Sequence, residues 1–357
     1  MKQQGFASRP ALRVLLQCLS WPSGIAFLTT LCSVALCSAV HAEVGFWSIG
    51  ALSDSEFSSN ANAVSADGKT VVGQSTRNGI TEAILWTKER GITSLGILEG
   101  KTITRATGVS HDGQVVVGAG YASSGIDSTT FHWTPQTGII ALPNCGCDNR
   151  SKAGADVSDD GTTVIGTRGN RGFVWTSDDN AIELGDNFGD YRSDNPIGVS
   201  PDGSFVVGGA STSRGFRGYR WTANGGFEEF GELMYQAYAV SEDGSAVAGL
   251  GFQDGQGVVR WTEEEGPVWL GHLPNLSGRP RSFATDISAD GSVIIGGSGG
   301  EEWFGACRWT EESGMLSVES TLKALDVDIA GWQLRTANAI SADGRVIVGS
   351  GINPDGN

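Results

Sequence analysis

Aspartate recurs at regular intervals along this chain of 357 residues, each time within a Ser-x-Asp-Gly motif. The spacings are 45, 48, 42, 41, 47 and 53 residues, and the seven carboxylates belong to Asp67, Asp112, Asp160, Asp202, Asp243, Asp290 and Asp343. Carboxylates that a fold brings together could ligate a divalent cation or transfer protons. The residues around each aspartate decide between those roles and a structural one.

A glycine follows every one of these aspartates, at Gly68, Gly113, Gly161, Gly203, Gly244, Gly291 and Gly344. Asp-Gly between two apolar runs predicts a tight β-hairpin, because Gly adopts the positive φ that the turn requires and Asp hydrogen-bonds its own backbone. The Ser hydroxyl two residues before Asp can close the same turn. We therefore interpret the seven pairs as structural turns rather than as metal ligands or catalytic groups.

The remaining candidates for catalysis are few. Three histidines lie beyond residue 42, namely His111, His132 and His272, and none is close in sequence to a candidate nucleophile. No glycine-rich loop leads from a strand into a helix to cradle phosphate. Nothing in the sequence favours a catalytic triad assembled from distant loops. We therefore expect a protein that is not an enzyme, with no catalytic residue and no cofactor.

The cysteines beyond residue 42 predict no redox chemistry. Cys145 and Cys147 flank a single glycine, and in an oxidising compartment they could form a local disulfide or meet a partner thiol. A spacing of one residue is poor for zinc, and no second pair accompanies it. Cys307 occupies a position that is apolar in the other repeats, so we expect it to be a small buried hydrophobic residue.

Short strands must carry these turns. Each repeat contains Val/Ile-Ser-x-Asp-Gly and a short aliphatic run closed by Gly, and the first six repeats continue with a variable loop and a Trp-Thr pair, without the 3.6-residue period of helices. The six pairs are Trp86-Thr87, Trp133-Thr134, Trp175-Thr176, Trp221-Thr222, Trp261-Thr262 and Trp309-Thr310. Repeats of 40 to 50 residues with about four strands each are typical of propeller blades. We predict an all-β β-propeller, with seven blades of short antiparallel strands.

The two ends of the repeat array predict how the ring closes. Residues 46–52 resemble the fourth strand of a blade, whereas the seventh repeat has no Trp-Thr pair of its own. We expect the N-terminal strand to close an incomplete last blade and so to remove an open sheet edge. One short helix is predicted over 317–325, where Val318, Leu322 and Leu325 share a face behind the N-cap Ser317.

The first 42 residues have the pattern of a signal peptide. Their only charged residues are basic, an apolar stretch follows over 25–40, and small residues precede a cleavage site after Ala42. The apolar run is short for a membrane span, although an uncleaved anchor stays an alternative. We predict a signal peptide over 1–42 and one exported repeat domain over 43–357.

Acidic residues dominate the charge, which is −16 for the whole chain. Such a balance repels nucleic acid phosphates and anionic lipid, so we expect no nucleic-acid partner and no membrane contact other than an uncleaved signal peptide. Acids concentrate in the turns after Trp-Thr, at Asp178-Asp179, Glu263-Glu264-Glu265 and Glu311-Glu312. On one rim of a ring they could collect Ca²⁺, or they could simply form a solvated face.

The repeat, with Val-Ser-x-Asp-Gly, Val-Val-Gly, Trp-Thr and a final Leu-Gly, resembles the HAF repeats of bacterial extracellular proteins. The resemblance covers residues 46–357 and implies a protein that is secreted, periplasmic or on the surface of a bacterium. It transfers no catalytic residue. The Asp-Gly turns are also similar to those of sialidase-type propeller blades, which keeps a role related to glycans open.

Two classes of function follow. The first is a binding or structural scaffold whose variable loops contact a glycan, a matrix polymer or a cell-surface protein, with Trp303 and Phe304 as the ligand-binding candidates. The second is a glycan-active hydrolase or lyase, which requires two carboxylates across the channel mouth. A third alternative is the passenger domain of an autotransporter.

Overall fold

The computed structural model describes residues 44–53, 58–122, 128–142, 156–168, 170–176, 181–184, 193–274, 276, 278–300 and 304–356. These ranges contain 26 strands and one helix. The strands follow the seven sequence repeats and form an all-β propeller, which confirms the predicted fold class. The predicted signal peptide and the Cys145–Cys147 pair lie outside the described residues.

Six blades have four strands each. Those of the first three blades are β1 Ser59–Val64, β2 Thr70–Arg77, β3 Ile80–Thr87, β4 Gly91–Gly96, β5 Ile103–Val109, β6 Val116–Tyr121, β7 Ser128–Thr134, β8 Gly138–Ala141, β9 Asp156–Val157, β10 Thr163–Arg168, β11 Arg171–Thr176 and β12 Ala181–Glu183. Those of the next three are β13 Ser193–Val199, β14 Val206–Thr212, β15 Gly215–Thr222, β16 Gly226–Glu229, β17 Met234–Val240, β18 Ala246–Phe252, β19 Gln256–Thr262, β20 Gly266–Gly271, β21 Arg281–Ile287, β22 Ile294–Gly299, β23 Phe304–Thr310 and β24 Gly314–Ser317. The helix α1 Val318–Ala324 and the seventh blade, β25 Gln333–Ile340 and β26 Ile347–Ile352, follow.

Each blade is an antiparallel meander whose third strand carries the Trp-Thr pair. In the fifth blade, Val247 of β18 lies opposite Trp261 of β19, and Gly249 lies opposite Val259. The first strand contains a β-bulge, here between Ala237 and Ala239. A side chain at Gly249 would come within 2.1 Å of the Gln236 carbonyl oxygen, so the close approach of the bulged strand requires glycine there.

The hydrophobic core lies between neighbouring blades. The side chain two positions before each Trp is at most 2% exposed in all six complete blades, at Ile84, Phe131, Phe173, Tyr219, Val259 and Cys307. Val207 of the fourth blade packs in one cluster with Val247, Val259 and Trp261 of the fifth. Full burial of one such side chain stabilises the fold by about 1.5 to 3 kcal/mol, so these contacts hold blade to blade.

Backbone hydrogen bonds close the ring between the first and last blades. On both sides of the seventh blade, the residue between Ser and Asp of the turn donates to its counterpart in the next blade: Ala289 N–H to Ala342 O at 3.0 Å, and Ala342 N–H to Ala66 O at 3.1 Å. Asn338 of β25 donates its side-chain amide to Ala61 O at 2.8 Å. A hydrophobic cluster also joins the two blades across this junction. The first and last blades are thus neighbours in a closed ring.

Residues 44–53 lie along the seventh blade but form no strand. The sequence predicts a strand there; within the described part of the chain, however, the segment has no ladder partner. Phe46 and Trp47 are half-buried against the cluster that contains α1 and β25. Closure therefore rests on contacts of β1 with β25 and β26 rather than on an added N-terminal strand.

The helix α1 begins after Ser317, whose hydroxyl accepts a hydrogen bond from Ser320 N–H at 3.3 Å. Val318 and Leu322 are buried between the sixth and seventh blades. Leu325, which the sequence places on the same face, is the C-cap and is 49% exposed. Among the described residues, no helix has the length and apolar character needed to cross a bilayer.

Candidate functional site: the central channel

The Ser-x-Asp-Gly turns form closed hydrogen-bond networks. In the fifth blade, the Ser241 hydroxyl donates to Asp243 Oδ1 at 2.8 Å, Ser245 N–H donates to the same oxygen at 2.9 Å, and Ala246 N–H donates to Ser241 Oγ at 2.9 Å. The backbone N–H of Ser245, followed by the hydroxyls of Ser245 and Ser241, holds the pKa of Asp243 below its usual range. The carboxylate is therefore ionised and occupied within its own turn.

The glycine of each turn also faces the preceding blade. Gly291 has φ +69°, and a Cβ placed on it would lie 2.7 Å from Ala246 Cβ of the fifth blade. A Cβ on Gly68 would lie 2.7 Å from a methyl of Val346 in the last blade. Glycine is thus required twice here, by the backbone conformation and by the packing of blade on blade.

A cavity of about 560 Å³ lies where the innermost strands meet. In six blades it is lined by the residue two positions before the aliphatic end of the first strand, and the corresponding residue of the third blade lies outside the described ranges. The six residues are Asn62, Thr107, Ile197, Tyr238, Thr285 and Asn338. The three residues that follow each of these positions in the sequence repeat: the first is small or Asp, the second is Val or Ile, and the third is Ser. The channel therefore combines a repeated frame with a ring of side chains that differ from blade to blade.

Two half-buried aspartates line the same cavity, Asp156 and Asp286. Asp286 accepts hydrogen bonds from Ile287 N–H of its own strand and from Ile340 N–H of the next blade, both at 2.8 Å. Asp156 accepts from Val157 N–H at 2.9 Å and from Val199 N–H of the next blade at 3.1 Å. Each carboxyl thus joins two neighbouring blades at the channel wall.

Burial, opposed by the two N–H donors and assisted by the charge of Asp156, raises the pKa of Asp286 to about 7. Burial likewise raises the pKa of Asp156 to about 6. A pKa near neutrality suits proton transfer, and it also accompanies structural burial. Here both oxygens of each carboxyl already accept backbone N–H groups, which fixes their orientation in the wall.

Three other polar side chains of the channel are engaged between blades. Asn62 donates to Ala106 O at 2.8 Å, Asn338 donates to Ala61 O, and the Thr285 hydroxyl donates to Ala337 O at 2.7 Å. Tyr238 is half-buried, and its hydroxyl is 3.3 Å from the side-chain oxygen of Gln236. Tyr238 is the one aromatic residue among the six described channel positions.

Of the aromatic pair singled out from the sequence, Trp303 lies outside the described residues. Phe304 is half-buried at the start of β23, and its ring stacks on Phe283 with a centroid distance of 5.5 Å. It is not part of the channel wall. A ligand-binding role for this pair stays a prediction.

His272 faces no accessible nucleophile among the described residues. His272 Nδ1 is 3.1 Å from the Ser282 hydroxyl, a contact between distant segments that the sequence could not suggest. Ser282 is fully buried, donates to Gly271 O at 2.6 Å and accepts from Val258 N–H at 3.1 Å. Burial lowers the pKa of His272. The pair is therefore a packed structural contact, inaccessible to a substrate.

Cys307 is 2% exposed opposite Gly296, and burial raises the pKa of its thiol to about 12. The thiol therefore stays protonated and unreactive at physiological pH, because the thiolate is the nucleophilic form.

The acidic turns after Trp-Thr are partly neutralised by arginine. Arg220 contacts Glu228 at 2.7 Å within its own blade and Glu263 of the next blade at 2.9 Å. Arg260 contacts Glu265 at 3.2 Å. Asp178 and Asp179 lie outside the described ranges, and within those ranges no group of three or more His, Cys, Asp or Glu side chains is arranged to hold a metal ion.

The chain is similar to known proteins in fold alone. No protein-family model matches it, and no curated protein matches it by sequence. TolB from Acinetobacter baumannii superposes with a TM-score of 0.50 at 10% identity, over 77% of this chain and 67% of that chain. A structure from an analysis of two prolyl endopeptidases gives 0.53 at 15% identity, over 74% of this chain and 42% of that chain, so this chain spans less than half of that enzyme. These likenesses support the propeller fold.

Proposed function

We propose that this protein is an exported, non-catalytic binding protein of the HAF-repeat type, which takes its ligand in the central channel. The observation that carries the proposal is the ring of six described channel positions, which vary between blades while the strand around them repeats. A purely structural repeat has no need for such variation at its axis. Side chains that vary around a concave, largely polar wall are typical of ligand recognition.

The chemistry of the wall favours a neutral polar ligand. The wall contains amide groups and hydroxyls, those of Asn62, Asn195, Asn338, Thr107 and Thr285, and some of them already bond between blades. Tyr238 adds an aromatic face. The carboxyls of Asp156 and Asp286 disfavour an anionic ligand, because ionised carboxylates repel it. An aromatic face beside amides and hydroxyls suits the polar edges and apolar faces of a sugar ring. We therefore favour a short neutral glycan.

A glycan-active enzyme is the second candidate, and the two carboxyl groups in the channel favour it. Glycoside hydrolysis uses two carboxylates, one of them with a raised pKa. Against this role, each carboxyl accepts two backbone N–H groups and is thereby held in the wall. The binding experiment below separates the candidates, because an enzyme would also convert the bound oligosaccharide into smaller products.

The test is a binding titration of neutral oligosaccharides with three variants. Tyr238→Ala should weaken binding at least tenfold, whereas Tyr238→Phe should retain it, because the ring face and not the hydroxyl makes the contact. Tyr235→Ala is the matched control, since Tyr235 stacks on Phe216 at 4.5 Å and is absent from the channel wall. Equal affinities for Tyr238→Ala and Tyr235→Ala, or no binding by the folded wild-type protein, would refute the channel as the glycan site.

A further inference from the structure

A second concave surface lies at the outer edge of the seventh blade, away from the channel. A groove of about 340 Å³ separates β26 from residues 44–50. Ile347 and Gly349 form one wall, Phe46 and Trp47 form the other, and Trp86 of the first blade lies at the groove.

The β25–β26 hairpin is built like the first hairpin of a complete blade. Ser341 N–H donates to Val346 O at 2.9 Å, as Ser241 N–H donates to Ala246 O at 2.9 Å in the fifth blade. A Cβ on Gly349 would lie 2.0 Å from Thr336 O, which matches the bulge contact of Gly249. The strand β26 is therefore equivalent to β18, residue by residue.

This equivalence defines the direction of the backbone groups along β26. Because Val346 bonds back to Ser341, antiparallel alternation directs the N–H and C=O groups of Ile347, Gly349 and Gly351 away from β25 and into the groove. No described strand pairs with this edge. After Ile347, the residues of β26 are only half-buried, whereas the first six residues of β18 are all buried.

The opposite wall lies where the fourth strand of a complete blade would lie. Leu52 N–H donates to Ser75 Oγ of the next blade at 3.0 Å, and Leu273 N–H donates to Ser298 Oγ of the next blade at the same distance. Gly50 and Gly271, each two residues before the leucine, have φ of 76° and 78°. Strands of a sheet lie about 4.8 Å apart, so one strand fits between a second and a fourth strand.

We propose that this groove binds one extended strand of another polypeptide, antiparallel to β26, with an apolar residue two positions before a Trp-Thr pair. Strand addition of this kind takes affinity from backbone hydrogen bonds and specificity from alternate side chains. The six third strands of this chain that fill the same place all have this pattern, with the apolar residue at most 2% exposed.

An aromatic ring at the groove further specifies the partner strand. In two blades, the residue before Trp is an arginine that lies over the Trp ring of the next blade: Arg220 over Trp261 at 5.0 Å and Arg260 over Trp309 at 5.7 Å. The equivalent ring at the groove is Trp86, whereas the charged residues of the groove, Lys69, Lys88 and Glu89, are of mixed sign. A partner strand with Arg before Trp therefore has an aromatic face to contact.

The probe is a capped synthetic peptide with the sequence of residues 256–262, Gln-Gly-Val-Val-Arg-Trp-Thr, titrated into the full chain. We expect saturable one-to-one binding that falls at least tenfold when the peptide's Trp is replaced by Ala. N-methylation of the Val two positions before Trp removes an N–H that faces β26, and it should also weaken binding at least tenfold. N-methylation of the Arg, whose N–H faces residues 44–50, should weaken it less than threefold.

A thermal measurement provides an independent readout. Peptide at a hundredfold excess over its Kd should raise the melting temperature by about 5 °C. The same strand fused after Asn357 should raise it without added peptide and abolish peptide binding, because the turn at 353–356 reverses the chain, with Gly356 N–H donating to Asn353 O at 3.0 Å.

Three results would overturn the proposal. The first is a folded protein that binds no peptide, which would mean that other residues of the chain cover the groove. The second is equal weakening by the two N-methylations, which would exclude strand pairing. The third is a dimer that forms through β26 and persists at saturating peptide, which would assign the edge to a second copy. None of these results bears on the channel.

Discussion

Gly291→Ala tests the two reasons why the repeated turn requires glycine, namely the positive φ of its backbone and its contact with the preceding blade. Gly291 has φ +69°, and a new Cβ would meet Ala246 Cβ of the preceding blade at 2.7 Å. Gly314 is the matched control, since it has φ +65° and nothing lies within 4 Å of the position that a new methyl would take. Both substitutions introduce the same strained backbone conformation, and only Gly291→Ala adds a clash between blades.

The magnitudes follow from these two contributions. A non-glycine residue in the left-handed region costs about 1 to 2 kcal/mol, which is the whole effect expected for Gly314→Ala. Overpacking of a methyl against a buried neighbour costs about 1 to 3 kcal/mol more. We therefore expect Gly291→Ala to lower the free energy of unfolding by about 2 to 5 kcal/mol, against about 1 to 2 kcal/mol for Gly314→Ala.

A double-mutant cycle isolates the contact between blades. Ala246→Gly removes the methyl that the new side chain would meet. Alone this substitution is destabilising, but in the presence of Gly291→Ala it should raise the free energy of unfolding by at least about 1 kcal/mol. Urea unfolding followed by tryptophan fluorescence measures the four proteins of the cycle and Gly314→Ala. Equal destabilisation by Gly291→Ala and Gly314→Ala, with additive effects of Ala246→Gly, would show that the turn glycine does not pack on the preceding blade.

Two further predictions concern the channel wall. Asp286 has a pKa of about 7 in the folded protein against an ordinary value of 3.8, so the folded state holds this proton more tightly and loses stability as pH rises from about 4 to 7. Relative to Asp286→Asn, the free energy of unfolding of the wild type should therefore fall by about 2 to 3 kcal/mol between pH 5 and 8. A constant difference between the two proteins would contradict the burial of the carboxyl. Asn338→Ala removes the 2.8 Å hydrogen bond to Ala61 O across the closure and should lower the free energy of unfolding by about 1 to 2 kcal/mol. Asn62→Ala removes the equivalent bond to Ala106 O and should have a similar effect. No effect of Asn338→Ala beside a clear effect of Asn62→Ala would mean that the closure is absent in solution.

The repeat was sufficient to predict the propeller, because local turn chemistry and the alternation of strand residues recur seven times. Asp243 and Gly244, for example, specify their hairpin through bonds that span only a few residues. The helix after Ser317 was also predictable, since a cap and an apolar face are local signals. The exposure of Leu325 depends on how the sixth and seventh blades pack, which no local pattern contains.

The channel site was not predicted from the sequence. Asp156 and Asp286 are ordinary residues when each is taken singly, and their role arises from bonds to Val199 and Ile340, 43 and 54 residues away in the chain. Comparison of the repeats offers a signal, because the residue before the aliphatic end of the first strand is Ala or Gly in the other five copies. The N-terminal segment was predicted as a strand because its own residues suit one, but a strand also requires a ladder partner beside it.

The closed ring is the central claim, and the exchange rate of one backbone amide tests it most directly. Ala342 N–H donates to Ala66 O across the junction of the last and first blades, and Ala289 N–H makes the equivalent bond to Ala342 O between the sixth and seventh. Residue-resolved hydrogen exchange should show both amides protected to within about tenfold of each other. Exchange of the Ala342 amide at the rate of an unstructured chain, with the Ala289 amide still protected, would show that the ring is open.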